Sequence, residues 1–266
     1  MTLDHLEAHY SVILCDIWGC IHDGVQLYPG ASNRLRRWRE EGRTIILITN
    51  APRTADAVSG QLVRLGLDSS LWDGIATSGD AGIAALKTVE RPVGFIGTRG
   101  DRAILEGRGV QIAAADEFDE LACAGLDGVR REVGDYEEEI AALAERDVLM
   151  HCLNPDRLVI RGGVPEPCAG AIADRYIELG GRVEYYGKPY PAIYRHAMSL
   201  AGEPAPDDVL AIGDGLNTDI LGAARMGFAC VYVTGGISQG ENIPPTFAQT
   251  NGLGSWRPVA VVGSLH

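Results

Sequence analysis

Four short stretches of the chain place chemically capable side chains directly after apolar runs. Asp16 follows SVILC at 11–15, Thr49 and Asn50 follow TIILI at 44–48, Lys188 follows VEYYG at 183–187, and Asp214 follows VLAIG at 209–213. Two acids, a hydroxyl and a lysine together suit a phosphoryl group and a hard cation. Mg²⁺ takes oxygen ligands, usually one or two carboxylates completed by waters and phosphate oxygens. With the repulsion between anions neutralised by a metal and a lysine, a carboxylate such as Asp16 can attack phosphorus and become an aspartyl-phosphate. The Thr49 hydroxyl and the backbone N–H groups after it, at a helix start, would hold phosphate oxygens. Singly, each residue has an ordinary explanation. A lone aspartate after a strand is more often a cap or turn former, a lone lysine is usually solvated, and a lone threonine is a turn residue. The joint arrangement carries the inference.

Such residues meet only if their apolar runs are neighbouring strands, because ligands of open α/β sheets bind beyond the C-terminal strand ends. The pattern agrees. TIILI is nearly all apolar, as in a strand buried on both faces of a parallel sheet. Helix-period segments cover 31–41 and 53–65, and Gly42 and Gly66 stop them. A short strand at 74–76 leads into TSGD. Later come a strand at 183–186, a helix at 189–201, a strand at 209–212, a helix at 217–226 and a strand at 229–233. This alternation predicts βαβ crossovers and an α/β, doubly wound parallel sheet of Rossmann-like form. The middle has its own grammar: VGFIG, VQI, ELACAG and VLMHC as strands, with helices at 101–108, 136–146 and 168–179. It reads as a second α/β domain, residues 79–185, inserted into a core made of 1–78 and 186–266.

Composition narrows the function classes. The 266 residues are 22% charged and 46% apolar, an ordinary globular balance, and the formal charge is −13. Nucleic acids and anionic membranes require a basic surface, so neither is an expected partner. An anionic small molecule remains compatible, since a metal and a lysine override the average field locally. No apolar run is long enough to span a bilayer, and MTLDHLEAHY does not read as a signal peptide. The six cysteines, at 15, 20, 123, 152, 168 and 230, form no CxxC pair. Several lie within apolar runs, Cys15, Cys152 and Cys230 among them, and read as small buried hydrophobes, and a reducing cytoplasm fits best.

Asp16-Ile17-Trp18-Gly19, Thr49-Asn50, Gly187-Lys188-Pro189 and the stretch GDGLNTDILGA at 213–223 resemble the four ordered motifs of the haloacid dehalogenase superfamily. The last is similar to its class IIA, NagD-like branch of nucleotide, p-nitrophenyl-phosphate and phosphoglycolate phosphatases. PGA at 29–31 and NPDRLVIRGGVPEPCAGA at 154–171 resemble the same branch, the latter within its α/β cap. The resemblance covers essentially the whole chain. It implies Asp16 as nucleophile and Mg²⁺ ligand, the main-chain carbonyl of Trp18 and the carboxylate of Asp214 as further metal ligands, and Asp219 as a ligand through water or a support. Thr49, Asn50 and Lys188 would bind the phosphoryl group of a small phosphorylated metabolite. Arg53 has a weaker claim to touch substrate, a surface arginine at a helix start being the simpler reading. Asn154 and Asp156 would line the cap side of the cleft, although N-P-D is also a common turn. Caps of this branch often dimerise, which implies a homodimer.

One position departs from the pattern. The family motif carries a second aspartate two residues after the nucleophile, which protonates the leaving group and then activates water. Here that residue is Trp18, whose indole offers one N–H and no titratable proton. A positioned acid or base is worth on the order of 10²–10⁴ in rate. Three readings stand open: substrates with good leaving groups, a proton supplied by His22 or Asp23, or a protein that binds a phosphorylated ligand with little turnover. His22 and Asp23 read more simply as a DG turn beside an exposed imidazole. A transferase or a C–P-cleaving relative is a further possibility. The latter usually needs a Schiff-base lysine in its cap, and the chain has only Lys87 and Lys188.

Overall fold

The computed structural model describes residues 3–5, 7–114, 117–161, 164–236 and 242–265. The chain divides into two compact units, one of residues 1–49, 55–76 and 188–266, the other of 50–54 and 77–187.

The first unit is built on a six-stranded sheet in the order Ala260–Val262, Ala229–Val233, Val209–Gly213, Val12–Asp16, Thr44–Thr49, Gly74–Thr77. Val12–Asp16 is central and pairs in parallel with both neighbours, Val12 opposite Val209 on one side and Thr44 on the other. All five of its residues are buried, the pattern expected of a strand covered on both faces. One face packs Leu14, Ile46, Ile48 and Ala211 against Ile193, Tyr194 and Ala197 of helix Pro191–Leu200, with Ile220 and Phe228. Alternation turns Ile13, Cys15, Ile45 and Leu47 to the other face. From the central strand the chain steps outward through Thr44–Thr49 to Gly74–Thr77. It returns on the opposite side through Val209–Gly213. The strand order therefore reverses between Val12–Asp16 and Val209–Gly213, which is where α/β sheets open a crevice.

The second unit has a four-stranded parallel sheet, Gly94–Ile96, Glu120–Cys123, Leu149–Cys152 and Arg182–Tyr185 in spatial order. Its core joins Leu121, Met150 and Cys152 to Ile140, Leu143, Ile172 and Tyr176 of helices Glu137–Glu145 and Ala169–Glu178. An antiparallel hairpin pairs Leu158–Arg161 with Val164–Pro167.

The α/β class and the parallel sheets are as expected, but several elements differ. The run 183–186 is expected ahead of Lys188 as a strand ending at the core edge. It is instead the Arg182–Tyr185 strand of the second sheet. Its burial alternates from half-buried to exposed, so the β pattern was sound and only its sheet was misplaced. VQI forms no strand and contributes a single bridge between Val93 and Ile112. The stretch TSGD starts a helix, Ser78–Leu86, capped by the Thr77 hydroxyl, which accepts the Asp80 N–H at 2.8 Å. The helix expected at 217–226 begins as one π turn, Leu216–Ile220, before Leu221–Arg225. The hairpin and the edge strand Ala260–Val262 are short and carry weak periodicity, so neither was read from the sequence. Among the described residues no helix is long and apolar enough to cross a membrane.

Candidate active site

The C-terminal edge of the six-stranded sheet gathers four of the expected side chains in one buried group. Asp16 is the last residue of its strand and Thr49 the last of its own, while Asp214 directly follows Val209–Gly213. Asp16, Asp214, Asp219 and Lys188 are each at most 6% exposed, and Thr49 is 8% exposed. Lys188 comes from the segment ahead of helix Pro191–Leu200 and points its ammonium between two carboxylates. Its Nζ donates to Asp16 Oδ1 in a very short contact and to Asp219 Oδ1 at 2.7 Å. Asp219 is fixed from behind, its Oδ2 accepting the Gly215 N–H at 3.2 Å and the Thr218 hydroxyl at 3.1 Å.

The other Asp16 oxygen, Oδ2, is buried and has no hydrogen-bond partner among the described residues. One ligand atom each from Asp16, Cys20 and Asp214 lies within 4.8 Å of the others. Bare backbone leaves room for Asp214. A Cβ on Gly19, whose φ is +95°, would stand 2.2 Å from Asp214 Oδ2, and one on Gly236 would stand 2.1 Å from the same atom. The close approach of these two glycines frames the carboxylate.

The Lys188 ammonium lies between the Asp16 and Asp219 carboxylates, and Asp214 adds a third buried carboxylate beside Asp16, a formal excess of negative charge when all are ionised. Burial first, and then Asp219 and Asp214, push the Asp16 carboxyl well above its usual range against the opposing pull of Lys188. Burial opposes charge on Lys188, but Asp16 and Asp219 outweigh it and hold the ammonium above its usual range. A buried group with too much negative charge and an unpartnered carboxylate oxygen fits a hard divalent cation. The soft, buried thiol of Cys20 is pushed up by desolvation and is a poor ligand for such an ion. Its place beside the carboxylates was invisible in the sequence, where Cys20 belongs to no CxxC pair and to no recognised motif position.

Asn50 and Arg53 fall in the second unit. There the Asn50 side-chain amide donates to Asp156 Oδ1 at 2.8 Å, and the Asp156 N–H donates to Asn154 Oδ1 at 3.1 Å. The N-P-D stretch is thus a turn that also engages Asn50. A Cβ on Gly187 would stand 2.5 Å from Asn50 Oδ1, so that glycine is required by space. Arg53 is exposed and precedes helix Ala55–Arg64, in keeping with the simpler reading.

Trp18 is half-buried and folds back over its own loop. A Cβ on Gly24, at φ +93°, would be 2.4 Å from its Cη2. The indole also meets His22 edge-on, with ring centroids 5.3 Å apart. The expectation of an exposed imidazole at His22 fails. The residue is 2% exposed, and its Nδ1 accepts the Gly24 N–H at 2.9 Å. Burial lowers its pKa. Asp23 is the turn former the sequence suggested, one oxygen accepting the Val25 and Gln26 N–H groups at 2.9 Å each.

Residues 13–111 match the haloacid dehalogenase-like hydrolase family, and residues 185–261 match a HAD-hydrolase-like family. A solved hydrolase of the haloacid dehalogenase-like family from Brucella suis 1330 is 34% identical and superposes with a TM-score of 0.85, over 100% of this chain and 99% of that one. An acid sugar phosphatase of Staphylococcus epidermidis is 28% identical over 252 residues, 90% of this chain and 94% of the relative. The ribonucleotide monophosphatase NagD of Escherichia coli is 27% identical over 243 residues, 87% of this chain and 90% of the relative.

Proposed function

The chain belongs to the haloacid dehalogenase-like hydrolase family, in its class IIA, NagD-like branch, and from that premise we propose that it is a phosphatase releasing inorganic phosphate from a small phosphorylated metabolite. The observation that carries this reading is the buried Asp16–Lys188–Asp219 ion triad beside Asp214, at the point where strand order reverses. Named relatives that span most of this chain are phosphatases, and no observation favours a binding protein without turnover.

In this reading Asp16 is the nucleophile. Lys188, held by Asp219, binds a phosphoryl oxygen and draws charge from phosphorus, and the Thr49 hydroxyl and Asn50 amide hold further oxygens. Asp16, Asp214 and the main-chain carbonyl of Trp18 would hold Mg²⁺, with Asp219 supporting them through Lys188. Bound Mg²⁺ would neutralise charge on the phosphoryl oxygens and fix their orientation. The free oxygen of Asp16 and the glycine-lined space at Asp214 support that assignment. An Asp16 oxygen attacks phosphorus, the leaving oxygen departs, and water then attacks the aspartyl-phosphate and returns the carboxylate. Residues 79–185 are the inserted cap in this reading. All six cysteines are buried and none forms a disulfide among the described residues, which is compatible with a reducing cytoplasm.

The test is release of 4-nitrophenolate from 4-nitrophenyl phosphate by the purified protein with Mg²⁺, alongside Asp16→Asn. Turnover should fall by about 10⁴-fold or more in the variant, as for loss of a nucleophile. Turnover indifferent to Asp16→Asn would overturn the reading.

A further inference from the structure

Position 18 is filled by a side chain that the loop is shaped to hold. The indole lies on Gly24, where no side chain fits beneath it, and packs edge-on against the buried ring of His22. The turn around it is closed by backbone hydrogen bonds, Gly19 N–H to the His22 carbonyl at 3.0 Å and His22 N–H to the Ile17 carbonyl at 3.2 Å. Trp18 is therefore part of the loop's architecture.

No other residue of that loop replaces a carboxylic acid. Between Ile17 and Gly30 the only acid is Asp23. One of its oxygens is committed to two backbone N–H groups, which stabilise the carboxylate form. His22 turns its lone-pair nitrogen to the Gly24 N–H, so the ring is held as a neutral imidazole whose remaining N–H is a very weak acid.

We propose that Trp18 confines this enzyme to phosphoryl donors whose leaving oxygen is weakly basic, namely acyl phosphates, aryl phosphates and phosphoanhydrides, and excludes alkyl phosphate monoesters. The inference rests on the phosphatase reading above and names its substrate class. An Asp16 oxygen forms its bond to phosphorus as the bond to the leaving oxygen breaks, and that oxygen departs with the electron pair as an anion. Water then attacks phosphorus, and the bond to Asp16 breaks with its pair returned to the carboxylate. Of the two protons of water, one stays on phosphate and the other reaches the released anion through solvent. With no carboxylic acid at position 18, an alkoxide leaves without a carboxyl proton beside it, whereas a carboxylate, a nitrophenolate or a phosphate leaves unaided.

The experiment measures kcat/KM with Mg²⁺ for 4-nitrophenyl, 4-chlorophenyl and phenyl phosphate, which differ little in shape, and for acetyl phosphate and glycerol 3-phosphate. The expected result is a steep fall across the aryl series as the phenol becomes more basic. Glycerol 3-phosphate should lie about 10²-fold or more below 4-nitrophenyl phosphate, the scale of a lost general acid. Activity confined to acetyl phosphate and the aryl esters, with steep leaving-group dependence, supports the proposal. Phenyl phosphate and glycerol 3-phosphate turned over within tenfold of 4-nitrophenyl phosphate would overturn it while leaving the phosphatase reading intact. No turnover of any substrate would defeat both. Trp18→Asp should raise phenyl phosphate turnover selectively, and a folded variant without that gain counts against the proposal. Should that variant not fold, Trp18→Phe decides the point, because it should keep the steep dependence and a flat one would overturn the claim.

Discussion

Asp219 stands behind Lys188, taking its ammonium at 2.7 Å on one oxygen while the other is pinned by Gly215 and Thr218. A lysine ammonium on a four-carbon stem is otherwise free to choose among positions. Asp219 aims it at Asp16. The aspartate thus acts through the lysine, as a positioning residue.

Asp219→Asn keeps the shape and removes the charge. We expect kcat/KM to fall about 10–100-fold, the range for residues that orient those touching a metal or substrate. The far-ultraviolet circular dichroism should be unchanged. Unaltered kinetics would show that Lys188 needs no such support.

Asp214 adds a third buried carboxylate to a group with one ammonium. Asp214→Asn should stabilise the metal-free protein, since function here is held at the expense of repulsion. The melting temperature without Mg²⁺ should rise by roughly 2–4 °C for each kcal/mol relieved. Mg²⁺ should raise the melting temperature of the wild type and leave the variant nearly unmoved. Equal Mg²⁺ shifts in both proteins would count against Asp214 as a ligand.

The burial of His22 makes a prediction about acid. Its folded pKa lies below the ordinary value of 6.5, chiefly because burial penalises the charged ring. The unfolded chain therefore binds a proton that the folded chain refuses in the window just below pH 6.5. Stability rises with pH through that window. It is complete above 6.5 and is lost as pH falls toward the depressed value. His22→Asn, which keeps an acceptor for the Gly24 N–H, should flatten this part of a urea-denaturation pH profile. An identical slope in both proteins would assign it to other groups.

The second unit carries a chain of polar side chains centred on a buried histidine and tyrosine. His151, 4% exposed, sets Nε2 at 2.5 Å from Glu120 and Nδ1 at 2.6 Å from the Tyr186 hydroxyl, which donates to Glu184 at 2.9 Å. Burial, and then Glu184, raise the Tyr186 pKa above its usual value. Tyr186→Phe should cost about 1–3 kcal/mol, because His151 loses a buried partner. Hydrogen exchange should localise the loss to strands Leu149–Cys152 and Arg182–Tyr185. Uniform protection across both units would argue against a local role.

These features differ in how far the sequence disclosed them. The strands that end at Asp16 and Thr49, and the one before Asp214, were legible because an all-apolar run followed by a polar turn is a local signal. So were the chemical types of the site, and the stretch GDGLNTDILGA announced its family outright. The route of Lys188 was not. Arg182–Tyr185 has the same period as a core strand, and only hydrogen bonding to Leu149–Cys152 assigns it to the second sheet. His22 looked exposed because a DG turn usually is, yet Trp18 and the turn backbone enclose it.

Local chemistry, then, was determined by the sequence alone: which residues could attack, bind or hold a cation, and that position 18 offers no titratable proton. Tertiary structure decided partnerships between residues far apart in the chain. It set Lys188 between Asp16 and Asp219, left one Asp16 oxygen unpartnered, brought Cys20 to the carboxylates and joined Glu120 to His151. The physical reason is that periodicity and turn chemistry act over a few residues, whereas the charge and burial of a side chain depend on whatever strand or loop packs beside it.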